Sequence, residues 1–196
     1  MKRGKLIVLY GVNNLGKTTQ AKILVEELRK AGLRAEYLKY PIYNLKPTGP
    51  LLNDYLRGGN PQNLTPKQAQ ELYAQNRSDY RDALTSKLKQ GINIVAEDYW
   101  GTGAAWGLGR GVEKKFLLEL NKPFQNEDLA ILLDGKRFVS GVEEGHLHEQ
   151  NEELTGAVQR AHLELAKGFG WKTVNANQAV EKVAQDIRRY VKEVIK

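Results

Sequence analysis

The alternation of apolar and polar positions predicts a chain built from strands and helices in turn. Residues 6–10 (LIVLY) form a short unbroken apolar run, the pattern of a strand covered on both faces. Beyond a glycine-containing loop, Ala21, Leu24, Val25, Leu28 and Ala31 recur at helical spacing until Gly32 supplies a stop. Residues 34–40 read as a second strand, 92–96 as a third, 129–133 as a fourth and 172–174 as a short fifth. Thr65-Pro66-Lys67-Gln68 opens a long helix with a capping Thr, a Pro at the first helical position and a Gln three residues past the cap. Ala69, Leu72, Tyr73, Tyr80, Ala83, Leu84 and Leu88 mark its apolar face, which ends near Gly91. Residues 151–167 predict another amphipathic helix, stopped by Gly168, and 178–195 a last one. Strands alternating with helices imply an α/β fold with a parallel sheet and helices on both faces, and ligands bind such sheets at the carboxyl ends of the strands.

Composition narrows the class. The 196 residues contain 41% hydrophobic and 27% charged side chains, enough for a single domain over 1–196 with its own core. There is no cysteine, so disulfides and thiolate metal sites are excluded, and a reducing, cytoplasmic home is the simplest expectation. No apolar run approaches a membrane span, and the one in "MKRGKLIVLYG" is too short for a signal peptide. The net charge of +7 favours anionic partners. The acidic cluster Glu143, Glu144, Glu149, Glu152 and Glu153 argues against a continuous nucleic-acid surface, leaving small phosphorylated molecules.

The first loop carries chemistry. Gly11-Val12-Asn13-Asn14-Leu15-Gly16-Lys17-Thr18 fits G-x-x-x-x-G-K-[ST], with Thr19 continuing into the helix. Glycines let the backbone curl so that successive N–H groups face phosphate oxygens, and the following helix N-terminus adds its positive dipole end. Lys17 reaches the outer phosphates of a nucleoside triphosphate and the Thr18 hydroxyl suits Mg²⁺. GTPases, motor ATPases and small-molecule kinases share this loop, so the reaction class must come from elsewhere.

Three further segments bear on it. Pro41 follows the second strand in "KYPIYNLKPTGPLLNDYLRGG" (39–59), read as a loop at the sheet's carboxyl edge. Tyr73 and Arg77 are four apart, so an aromatic plane and a guanidinium share one helix face, suited to a base and its polar edge or to ordinary packing. Glu97 and Asp98 end the third strand above the phosphate loop, where a carboxylate holds Mg²⁺ or accepts a proton. Thr102, Trp106 and Arg110 follow in what reads as a glycine-rich loop.

In this order and spacing, the segments resemble the thymidylate kinase family. The family's aromatic-Pro pair appears as Tyr40-Pro41, its Phe-x-x-Asn-Arg element as Tyr73-Ala74-Gln75-Asn76-Arg77, and its third-strand element as Glu97-Asp98-Tyr99 with Thr102 and Ala105-Trp106-Gly107. Leu133-Asp134 and "GWKTVNA" (170–176) extend the likeness over nearly the whole chain. The resemblance implies the three-layer P-loop kinase fold, a five-stranded parallel sheet flanked by helices, with a lid at about 135–150. It implies phosphoryl transfer from ATP, with Mg²⁺, to dTMP. By position, Tyr73 would stack on thymine and Arg77 bond its edge, with Asn76 beside them. Lys17, Thr18 and the loop Gly11, Asn13, Asn14, Leu15, Gly16 and Thr19 would hold ATP, and Thr18 and Glu97 the metal. Tyr40, Pro41, Asp98, Thr102 and Trp106 would line the acceptor side. Lys136 or Arg137 would lay positive charge across the transferring phosphoryl group, and Asn175 to Asn177 would lie near adenine. A homodimer and small nucleotide substrates, rather than nucleic acid or membrane, complete the expectation.

Three positions depart from that pattern. Asn13 stands where the family has an Asp, Asp98 where it has an Arg, and no Arg follows the aromatic-Pro pair, although Tyr43 is near. Arg57, Arg110, Lys39 or a lid residue takes over, or the acceptor is another monophosphate or a deoxynucleoside, or the chain binds nucleotide with little turnover. His146, His148 and His162 show no metal-ligand spacing, and Trp100 and Trp171 read as packing residues. Lys114-Lys115 and Arg188-Arg189 read as solvated helix faces.

Overall fold

The computed structural model describes residues 2–124, 126–138 and 151–195. Most of the expected lid, 139–150, lies outside the described residues, as do His146, His148, Glu143, Glu144 and Glu149.

Five strands, β1 (Leu6–Tyr10), β2 (Ala35–Lys39), β3 (Asn93–Glu97), β4 (Leu129–Asp134) and β5 (Lys172–Asn175), form one parallel sheet in the order β2-β3-β1-β4-β5. β1, β3 and all but the last residue of β4 are fully buried, which is why they read as continuous apolar runs rather than alternating ones. The chain folds around them as helices α1 (Lys17–Lys30), α2 (Thr48–Arg57), α3 (Pro66–Lys89), α4 (Trp100–Gly109), α5 (Lys114–Asn121), α6 (Glu152–Phe169) and α7 (Val180–Val194). The sheet and helix alternation expected from the pattern is present. The capping box of α3 forms as its residues predict: the Gln68 N–H donates to the Thr65 hydroxyl, and the Thr65 N–H donates to the Gln68 side chain.

Three local expectations are corrected. The 39–59 loop contains α2, whose Leu52, Tyr55 and Leu56 pack inward against α3. The glycine-rich loop after β3 is α4. Its glycines mark close approach rather than flexibility: a Cβ at Gly101 would collide with the Trp171 ring, and one at Gly107 would sit 2.7 Å from Leu117. Gly168 lies inside α6, which runs on to Gly170, where the left-handed φ of 69° ends the helix. The tryptophans pack as expected: Trp171 stacks on Tyr10 with ring centres 4.1 Å apart, and Trp100 meets Trp171 edge-on.

The sheet's two edges differ. At the amino-terminal end Asp128 accepts hydrogen bonds from Arg3 (2.8 Å), Lys5 (3.1 Å) and the Leu6 N–H (2.9 Å), tying the chain's start to β4. Every element that carries a candidate site residue opens at the carboxyl-terminal end.

Candidate active site

The turn from β1 into α1 is shaped by three residues with positive φ: Gly11 at 140°, Asn14 at 61° and Gly16 at 78°. Gly11 has no substitute, because a Cβ there would lie 2.5 Å from the Leu133 carbonyl oxygen. Gly16 stands at the N-cap of α1 without a side chain to cap it, and the first turn holds no acidic residue, so its amides are left without a side-chain partner there, as an anion-binding helix start requires. Lys17 is buried, and its ammonium donates to the carbonyls of Gly11 (2.8 Å) and Val12 (3.0 Å). A cation is thus preset within the phosphate loop.

β3 brings two carboxylates above that loop. The Thr18 hydroxyl donates to Glu97 at 2.7 Å, and Tyr37, reaching across from β2, donates to the same oxygen. Lys39 pairs with the other Glu97 oxygen at 3.0 Å. Burial opposes the charge on Glu97, but Lys17 and Lys39 outweigh it, and the carboxyl is held below its ordinary range. Asp98 behaves oppositely. It takes a left-handed φ of 63°, accepts a 2.7 Å hydrogen bond from Thr102 and lies 3.7 Å from the Lys17 ammonium. Burial dominates, Glu97 adds repulsion, and Lys17 only partly offsets them, so the Asp98 carboxyl is raised.

These groups open into one cavity of about 400 Å³. Asn13, Asn14, Gly16, Lys17, Thr18 and Thr19 line the donor side, and Tyr40, Pro41, Tyr73, Arg77, Asp98, Thr102 and Trp106 the other, with Glu97 between. Tyr73 meets Tyr55 edge-on, ring centres 6.3 Å apart. Arg77 is buried, donating to Asn121 at 2.5 Å with its guanidinium 5.1 Å from the Phe124 ring centre. Burial pulls its pKa down to about 10, still charged at neutral pH.

Several sequence-predicted residues are not among those lining the cavity: Gly11, Leu15, Asn76 and Arg137, and also Arg110, Lys136 and Asn175 to Asn177. Gly11 and Leu15 shape the loop from behind, Leu15 being buried in the core. Asn76 holds the β2–α2 connection through its amide instead of facing the cavity. Arg137 follows β4 and donates to the Thr155 hydroxyl at 3.4 Å. Among residues the sequence did not single out, Tyr37 and Phe138 belong to the site. The Phe138 N–H donates to the Asn14 carbonyl at 2.8 Å, binding the start of the lid segment to the phosphate loop. Asn177 clasps Lys136 nearby, accepting from its N–H at 2.6 Å and donating to its carbonyl at 2.8 Å.

The family model for thymidylate kinase matches residues 9–187. The human thymidylate kinase is 32% identical, over 100% of this chain and 93% of its own length. The zebrafish (Danio rerio) thymidylate kinase is 29% identical over 99% and 92%. A probable thymidylate kinase of Pyrococcus abyssi is 29% identical over 97% of each. The solved thymidylate kinase of Candida albicans superposes with a TM-score of 0.84 over 97% of this chain and 92% of its own, at 24% identity, and so shares the fold. With the family model running from the end of β1 through β5 and covering both walls of the cavity, the chain belongs to the thymidylate kinase family.

Proposed function

We propose that the protein transfers the γ-phosphoryl group of ATP to dTMP, giving dTDP and ADP. The observation that supports this most directly is a single cavity in which a phosphate loop faces the Tyr73–Arg77 pair across the Glu97 carboxylate. An oxygen of the acceptor phosphate attacks the γ-phosphorus, a new P–O bond forms, and the β,γ bridging bond breaks to release ADP. The attacking oxygen is already ionised at neutral pH, so no general base is needed. Catalysis rests on position and charge.

The chain's residues divide that work. The amides of residues 13–19 and the Lys17 ammonium hold the donor's outer phosphates and offset charge as it develops. Tyr73 stacks on the acceptor base and Arg77 bonds its edge, fixing the acceptor in line. Thr18 and Glu97 suit Mg²⁺: a hydroxyl and a carboxylate 2.7 Å apart are hard oxygen donors, and this ion takes few protein ligands beside substrate phosphates. Bound there, it supplies charge neutralisation between donor and acceptor. Phe138 ties the start of the expected lid to the phosphate loop through the Asn14 carbonyl, and in a kinase of this type exclusion of water protects ATP from hydrolysis. We also propose a homodimer, checked by sedimentation equilibrium, and a cytoplasmic site of action. Among the described residues no helix is long and apolar enough to cross a membrane.

A coupled assay of ADP release across the deoxynucleoside monophosphates and deoxynucleosides tests the assignment. Turnover highest with dTMP is expected. The Asp98 carboxylate beside Lys17 favours one second reading, an acceptor without a phosphate, and turnover confined to deoxynucleosides would establish it. ATP binding without turnover on any acceptor would leave a nucleotide-binding protein.

A further inference from the structure

A dianionic acceptor has to enter a cavity whose floor carries two carboxylates, Glu97 and Asp98. The cations among its lining residues are Lys17, Lys39, Arg57 and Arg77. Lys17 is held by two carbonyls of the phosphate loop, on the donor side. Arg77 is 3% exposed and bound to Asn121. Arg57 closes α2, its guanidinium 4.9 Å from the Tyr43 ring centre, toward the end built by α2 and α3. Lys39 differs in place and in freedom. It is the last residue of β2, level with Glu97 on β3 in the parallel register, and its side chain is 45% exposed at the point where donor and acceptor halves meet.

We infer that Lys39 grips the acceptor's 5′-phosphate, and that its ion pair with Glu97 stores this ammonium at the reaction point until the acceptor arrives. The inference rests on the reading of the acceptor as a nucleoside monophosphate. Tyr37 and Lys39 are two apart on β2, so both side chains lie on one face and both reach Glu97. Thr18 and Tyr37 share one Glu97 oxygen while Lys39 takes the other, so the carboxylate stays bonded when the ammonium swings to a phosphate. A flexible ammonium stem suits such a transfer better than a fixed planar guanidinium. Removing Lys39 leaves Glu97 without its direct ion pair, and Lys17, held by the carbonyls of the phosphate loop, as the cation beside the two carboxylates.

The test is binding of dTMP and of thymidine, measured by calorimetry without ATP or metal, to wild type, Lys39→Met, Lys39→Arg and Tyr37→Phe. Thymidine has the same base and sugar but no phosphate. We expect Lys39→Met to weaken dTMP about tenfold or more, the value of one charge-assisted contact, and to leave thymidine within about twofold. Lys39→Arg should recover most of the loss. Tyr37→Phe loosens Glu97 without removing a cation and should leave the dTMP-to-thymidine ratio unchanged. Wild-type dTMP affinity in Lys39→Met, equal losses for both ligands, or the same loss in Tyr37→Phe would overturn the role of Lys39 while leaving the kinase reading intact. A wild-type protein that binds thymidine as tightly as dTMP would instead overturn the monophosphate reading, and the inference with it.

Discussion

Asn76 and Ile42 are joined through both ends of one amide: the Ile42 N–H donates to Oδ1 at 2.8 Å, and Nδ2 donates back to the Ile42 carbonyl at 3.1 Å. Nδ2 also donates to the Thr48 hydroxyl at 3.0 Å. A fully buried side chain on α3 therefore fixes the segment from Tyr40-Pro41 to the start of α2, the wall against which the acceptor would lie. Asn76→Ala orphans buried backbone groups and should cost about 2–4 kcal/mol in denaturant unfolding. It should also raise the acceptor KM more than the ATP KM, since the disturbance is confined to that wall.

Tyr73 tests the base end separately. If its ring stacks on the acceptor base, Tyr73→Ala forfeits about 1–3 kcal/mol of stacking. The expected result is a rise in acceptor KM of about tenfold to a hundredfold, with ATP KM little changed. Tyr73→Phe keeps the ring and should stay near wild type in the same steady-state assay.

Asp98 is a charge that its surroundings disfavour, because its folded pKa lies above the unfolded value. Such a group destabilises the fold fully above its raised folded pKa; the penalty shrinks as pH falls below that value and is gone below the unfolded aspartate pKa of about 4. Asp98→Asn preserves an acceptor for Thr102 and tolerates the positive φ. Its melting temperature should exceed wild type at pH 7 and converge with it in acid, and dTMP should bind more tightly once the anion is gone.

His162 supplies a second pH effect. It is fully buried in α6, its Nδ1 is bonded to the Val158 carbonyl at 3.0 Å, and Nε2 has no partner among the described residues. Burial first, then the charge of Lys17, depresses its pKa to about 3. The folded protein keeps the ring neutral while the unfolded chain protonates below about pH 6.5, so stability is lost as pH falls through the window from about 6.5 to 3. By pH 5 the loss from this one group is about 2 kcal/mol. It appears as the difference between the pH–stability curves of wild type and His162→Gln.

Much of this was legible in the sequence, for identifiable reasons. β1, β3 and β4 are buried on both faces, so they stand out as apolar runs. The phosphate loop and Glu97-Asp98 are contiguous, so motif spacing alone locates them. α2 and α4 were hidden by composition. Pro47, Gly49 and Pro50 open α2, and five glycines between Gly101 and Gly111 imitate a loop, although those inside α4 accommodate Trp171, Leu117 and Val158. Tyr37 and Phe138 escaped because each joins the site through tertiary structure. Tyr37 needs β2 paired with β3, and Phe138 needs its N–H on the Asn14 carbonyl. Asn76 was placed on the right helix but one layer too close to the ligand, because spacing along a helix does not reveal which neighbour a side chain meets.

The Asp128 knot at the far side of the sheet has a practical corollary. Because it fastens the amino-terminal strand opposite the pocket mouth, with Lys2 outside and exposed, a tag, fluorophore or bead attached there hangs away from incoming nucleotides. Immobilised through that end, the molecule presents its open face to solution, the orientation a biosensor or flow reactor requires.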